Sequence, residues 1–158
     1  MTTVLFICKG NVFRSMTAEY ALRRELGDHV EIRIGSAGTA DYPYTVMPEV
    51  RDYLLRRGLD VSGHARRTLT RPLLDEADLA VAMDPAPQAE IQARFGVTLP
   101  LFLSLCEPPG GGTWALPDLE EAVPDYRENQ AAALRHLHAI IDRIIGAVPG
   151  LAERFRAA

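Results

Sequence analysis

The chain has 158 residues, 47% apolar and 24% charged, with a formal net charge of −4. That length suffices for a substantial core in a single domain spanning 1–158, and the acidic balance argues against binding nucleic acid through its phosphates. With two cysteines, no apolar run of membrane-spanning length and no basic-then-apolar N-terminus, the sequence suggests a cytoplasmic protein without disulfides or membrane insertion.

In chain order, residues 3–7 read as a buried strand that stops at Cys8, and 16–26 as a helix with Gly27 just past its end. Residues 31–35 alternate as a second strand. A helix over 48–57 is followed by Gly58 and a short helix over 71–77. Residues 78–83 read as another buried strand, 86–95 as a helix, and 99–103 as a weaker fourth strand with Pro100 near its start. One extended loop, 107–124, carries Pro108, Pro109, Gly110, Gly111 and Gly112; connections of that length are often functional. In the last helix, starting at Tyr126, Leu134, Leu137, Ile141, Ile144, Val148 and Leu151 step by three and four along one face. Strands alternating with helices predict an α/β fold: a four-stranded parallel twisted sheet with helices on both faces. Neither a repeat nor a second domain is visible. His29, His64, His136 and His138 have no metal-ligand spacing with the cysteines, so no metal is expected.

The chemistry concentrates where the first strand ends, in Cys8-Lys9-Gly10-Asn11-Val12-Phe13-Arg14-Ser15. Ligands of open α/β sheets bind beyond the carboxyl ends of the strands. Gly10 and Asn11 tolerate left-handed backbone angles, which turn successive N–H groups inward as an anion-binding nest. The following helix adds free amides and the positive end of its dipole. Arg14 presents a planar fork matched to two oxygens of a tetrahedral anion. The same field favours Cys8 as thiolate, a nucleophile at the foot of a phosphate cup formed by residues 9–13 and Ser15. In-line attack on phosphorus would form a cysteinyl-phosphate that water then cleaves, and Ser15 would support the sulfur as leaving group. The scheme still needs an acid for the departing oxygen. The plainer reading of such a cysteine is a small buried hydrophobe; the Gly-Asn pair and the Arg-Ser at a helix start each meet a separate geometric need.

With these residues the sequence resembles the low-molecular-weight protein tyrosine phosphatase family, whose motif is a hydrophobic strand followed by C-x-G-N-x-x-R-S and then Ala-Glu, here Ala18-Glu19. Similarity continues in Gly35-Ser36-Ala37-Gly38-Thr39, in GLDVSGHARRTLT from Gly58 and in ADLAVAMD ending at Asp84. The resemblance implies a phosphotyrosine phosphatase without metal or cofactor, acting on a phosphotyrosine-containing protein or small aryl phosphate. It further implies Cys8 as nucleophile, Arg14 as clamp, Asn11 as loop-shaping residue, Ser15 as thiolate partner and Ser36 in the bracing network. The family's acid lies in an Asp-Pro shortly before the last helix. Here LPDLEEAVPDYREN offers Asp118, with Leu119 in place of proline, and as alternative Asp125, whose plain role is to cap the helix with Glu128.

Phe13 stands where many members carry a second cysteine, leaving Cys106 as the one conceivable redox partner and, in its plain reading, a half-buried loop thiol. Met16 replaces the usual proline after the motif serine. Tyr42, Tyr44, Trp114 or Tyr126 could wall the pocket, and because relatives acting on phosphoarginine tend to carry Thr after the motif's Asn, the resemblance implies through Val12 an aryl ester. A monomer or weak dimer is expected. A thiol-dependent arsenate reductase would need two cysteines besides Cys8, an inactive oxyanion-binding module is the other alternative, and nucleotide-loop spacings are absent.

Overall fold

The computed structural model describes residues 1–28, 31–107 and 115–157, so His29, the proline- and glycine-rich run 108–112 and Trp114 lie outside the described residues. The elements are β1 (Thr2–Cys8), α1 (Arg14–Leu26), β2 (Ile32–Gly38), α2 (Pro48–Arg56), α3 (Arg71–Glu76), β3 (Leu79–Ala82), α4 (Pro85–Phe95), α5 (Phe102–Cys106), α6 (Leu119–Ala122) and α7 (Gln130–Arg156). β1 lies between β2 and β3, parallel to both, with Val4 opposite Ile34 and Leu79, and Cys8 opposite Gly38.

A central strand must be apolar where both its faces are covered, and β1 is so from Val4 to Cys8. Val4, Phe6 and Cys8 point into a core shared with Met16 and Leu22 of α1, Leu54 of α2 and Ile141 and Ile144 of α7. Leu5 and Ile7 point into a second core with Leu74 of α3 and Ile91 of α4. Helices therefore cover both faces. Gly27 (φ 59°) and Gly58 (φ 83°) do adopt the positive φ that a helix end asks of them.

Three sequence expectations are corrected. The sheet has three strands among the described residues, not four: Leu101 makes one parallel bridge to Ala82, and α5 begins at the next residue. Pro100 accepts from the Ala82 N–H through its carbonyl (3.0 Å) but has no N–H with which to extend a ladder. Phe102 instead buries its ring edge-on against Phe6, with centroids 5.8 Å apart. The last helix starts at Gln130, four residues later than expected. Asn129, not Asp125, caps it by accepting from the Ala132 N–H (3.2 Å), since Asn caps as well as Asp and here stands at the helix start. Asp125 sits in the preceding turn, its carbonyl accepting from the Glu128 and Asn129 N–H groups. Finally, Leu137, Ile141, Ile144, Val148 and Leu151 are buried as the periodicity predicts, but Leu134, in the same stripe, is 38% exposed.

Candidate active site

The loop between β1 and α1 is shaped from outside. The carbonyls of four successive residues are taken by the surrounding scaffold: Cys8 by the Thr39 N–H (2.9 Å), Lys9 by the Ala40 N–H (3.0 Å), Gly10 by Arg66 Nε (2.9 Å) and Asn11 by His64 Nε2 (2.7 Å). A trans peptide places its N–H opposite its carbonyl, so the N–H groups of Lys9 through Val12 point away from that scaffold, toward the inside of the loop. Asn11 shows the result, its N–H reaching Cys8 Sγ at 3.3 Å. Asn11 is the one positive-φ residue (59°) other than glycine among the described residues. Gly10, expected to share that conformation, does not adopt it; a Cβ there would press on the Tyr44 ring at 3.3 Å, which accounts for a small residue.

The Asn11 side chain sets the direction of a buried hydrogen-bond chain. Its Oδ1 accepts from the Arg67 N–H (3.0 Å), which leaves Nδ2 to donate to Ser15 Oγ (2.9 Å) and Ser36 Oγ (2.8 Å). Having accepted from Asn11, Ser15 keeps its own hydrogen for Cys8 Sγ, 3.0 Å away. Ser36 passes its hydrogen to Glu19 Oε1 (2.6 Å), and Arg23 pairs with Glu19 Oε2 at 2.6 Å. Asn11, Ser15, Ser36 and Glu19 are all buried, so every donor and acceptor here must be matched, and these are.

Arg14 opens α1 and is 2% exposed. Its NH1 donates to the Leu116 carbonyl (3.0 Å) and lies 3.9 Å from Asp84 Oδ2, its NH2 lies 3.8 Å from Asp118 Oδ2, and its buried Nε has no partner among the described residues. Asp84, at the head of α4, spends its other oxygen on the Leu116 N–H (2.7 Å) rather than on capping the helix. Leu116 is thus held by both partners of one buried ion pair. Next in the chain, the Pro117 carbonyl meets His136 Nε2 of α7 at 2.8 Å, and Asp118 heads α6 with Oδ1 accepting from the Leu119 N–H (2.9 Å). Three consecutive residues are pinned so that the Asp118 carboxyl faces Arg14.

Above the loop opens a cavity of about 450 Å³, lined by Cys8 and residues 9–14, by Tyr42, Tyr44 and Tyr126, and by Asp118. Val12 is half-buried on its wall, while Phe13 turns its side chain into the core. Lys9, at the rim, faces Glu120 at 3.8 Å. Asp125 is exposed and is not part of this lining.

The family model for the low molecular weight phosphotyrosine protein phosphatases matches residues 3–157. The chain belongs to that family. Among curated relatives, the probable low molecular weight protein-tyrosine-phosphatase EpsP of Ralstonia nicotianae is 36% identical over 92 residues, 58% of this chain and 62% of that one, so the match spans less than two thirds of that relative. The low molecular weight protein-tyrosine-phosphatase Etp of Escherichia coli K12 is 28% identical over 146 residues, covering 89% of this chain and 88% of Etp. Among solved structures, the YwlE arginine phosphatase of Geobacillus stearothermophilus shares the fold, with a TM-score of 0.77 at 20% identity over 99% of this chain and 94% of that one.

The second cysteine of this phosphatase-family chain departs from its reading as a loop thiol. Cys106 ends α5 rather than lying in a loop, and packs against Gly150 of α7, where any Cβ would collide with its carbonyl. Burial, reinforced by Glu107, pushes its thiol up to about 12, so at neutral pH it is protonated and a poor nucleophile.

Sequence reasoning missed His64, Arg66 and Arg67, which hold loop groups, and Asp84 and His136, which hold the segment before Asp118. GHARRTLT and ADLAVAMD flagged their neighbourhoods but not their roles, because in each of these hydrogen bonds at least one partner is a backbone atom without any side-chain signature. Gly38 is likewise structural in a way spacing could not reveal: a Cβ there would stand 2.6 Å from the Lys9 carbonyl oxygen and 3.1 Å from the Gly10 carbonyl carbon. Gly38→Ala is therefore expected to push the loop from its place. Turnover should fall roughly 10- to 100-fold, with a loss of about 1–3 kcal/mol in stability, read by steady-state kinetics and thermal melting.

Proposed function

We propose that this protein hydrolyses aryl phosphate monoesters, phosphotyrosine in proteins above all, through a cysteinyl-phosphate intermediate. The observation that carries this reading is the convergence of the Asn11 N–H and the Ser15 hydroxyl on Cys8 Sγ, at the foot of a loop whose N–H groups face inward. Two donors on one sulfur fix its position beneath the loop. An anionic phosphoryl group seated above it would meet the loop amides and the unpartnered Nε of Arg14.

In the first step the Cys8 thiolate forms the S–P bond as the P–O bond to the phenol breaks, and Asp118 gives its proton to the departing oxygen. In the second, Asp118, now a carboxylate, takes a proton from water as the water oxygen attacks phosphorus. The S–P electron pair returns to Cys8, where the Ser15 hydrogen receives the charge. No redox change or metal is required by this scheme. Val12 on the wall, with Tyr42, Tyr44 and Tyr126 about it, supports a flat aromatic leaving group. An arsenate reductase relaying a disulfide would need further thiols near Cys8, and the protonated Cys106 at the end of α5 does not suit that task.

The deciding experiment is release of p-nitrophenol from p-nitrophenyl phosphate near pH 6. Turnover that persists with chelator and is blocked by vanadate is the expected result. A folded protein that binds vanadate without turnover would instead be an oxyanion-binding module.

A further inference from the structure

A second cavity, of about 250 Å³, opens beside the first, between the start of α2, the turn before α7 and the first turns of α7. The two cavities share Met47, Tyr126, Arg127 and Leu137 as walls, so they form one continuous groove with a deep end over Cys8 and a shallow end over α7. Ala133 and Leu134 line the shallow end alone. Leu134 is the member of the α7 stripe that the core leaves 38% exposed, one of the few large apolar side chains so exposed among the described residues.

We propose that the shallow end binds an apolar side chain of the phosphorylated polypeptide itself, close in sequence to the phosphorylated residue, and so selects among protein substrates. The inference rests on the phosphatase reading above. Continuity with the deep end points to the occupant: the shared wall gives a chain whose phosphorylated side chain enters over Cys8 a path to the shallow end. An extended chain advances about 3.3 Å per residue, so a neighbour within a few positions reaches Leu134. The chemistry of the lining identifies the side chain. Glu49 and Arg127 put one charge of each sign on the rim, which favours neither acid nor base, whereas Met47, Ala133, Leu134 and Leu137 offer apolar contact to a residue of leucine or methionine size.

The test uses phosphotyrosine peptides of one sequence in which each of the three positions on either side carries leucine or serine in turn, with p-nitrophenyl phosphate as a probe too small to reach the shallow end. Leucine at one flanking position should raise kcat/KM about tenfold over serine. In Leu134→Glu that preference should vanish, while kcat/KM for p-nitrophenyl phosphate stays within about twofold of wild type. A flat peptide profile, or a preference that survives Leu134→Glu, overturns the proposal. So does a wild-type dimer that Leu134→Glu converts to monomer, since the groove would then cover a second copy. A wild type inert toward p-nitrophenyl phosphate as well as every peptide overturns the phosphatase reading itself and this proposal with it.

Discussion

Cys8→Ser is expected to abolish turnover of p-nitrophenyl phosphate, by at least about 10⁴-fold, while vanadate and phosphate still bind. The exchange replaces sulfur by oxygen and leaves the contacts that shape the cup from outside in place, the carbonyls held by Thr39, Ala40, Arg66 and His64. A hydroxyl is far less acidic than a thiol and a poorer leaving group from phosphorus, so both chemical steps suffer. Binding should survive because it depends on the amides and Arg14. Single-turnover kinetics and isothermal titration with vanadate would read the two properties separately. Residual turnover within about 10-fold of wild type would mean that Cys8 is not the nucleophile.

The second large effect is expected at Asp118. Asp118→Asn should lower kcat about 10²- to 10³-fold, with inhibition by phosphate little changed. Asparagine keeps an oxygen to accept from the Leu119 N–H, so the start of α6 and the pinned residues before it are undisturbed, and what is lost is the transferable proton. The loss should be greater for phenyl phosphate than for p-nitrophenyl phosphate, whose leaving group departs more readily without protonation. Asp125→Asn, on an exposed turn outside the cavity, should change kcat by less than about twofold. Equal effects of the two substitutions, or none at Asp118, would remove Asp118 from the mechanism.

The arrangement of the loop after β1 was legible because it depends on residue types at close spacing: a strand that ends in cysteine, Gly-Asn, then Arg-Ser at a helix start. The apolar periodicity of α7 was legible for the same reason. What could not be read were contacts spanning long stretches of chain. Asp84 meets Leu116 across 32 positions, and Arg66 reaches the Gly10 carbonyl across 56. Each is a charged side chain on a backbone atom, a pairing that leaves no pattern at either position. The expected fourth strand failed locally: Pro100 lacked the hydrogen to build a ladder, and Phe102 gained more from packing on Phe6. The cap moved to Asn129 because two equally good capping residues lay four apart and only tertiary packing chose between them.

Because Arg14 donates to the Leu116 carbonyl and Asp84 accepts from its N–H, one buried ion pair joins the Cys8 loop to the segment carrying Asp118. An oxyanion that holds the guanidinium in place also stabilises residues 116–118 against local opening, and by reciprocity whatever loosens that segment weakens oxyanion affinity by the same factor. On the mechanism proposed above, substrate occupancy and readiness of Asp118 would then be coupled, and an unoccupied cup would spend less of its time with a proton donor poised against water.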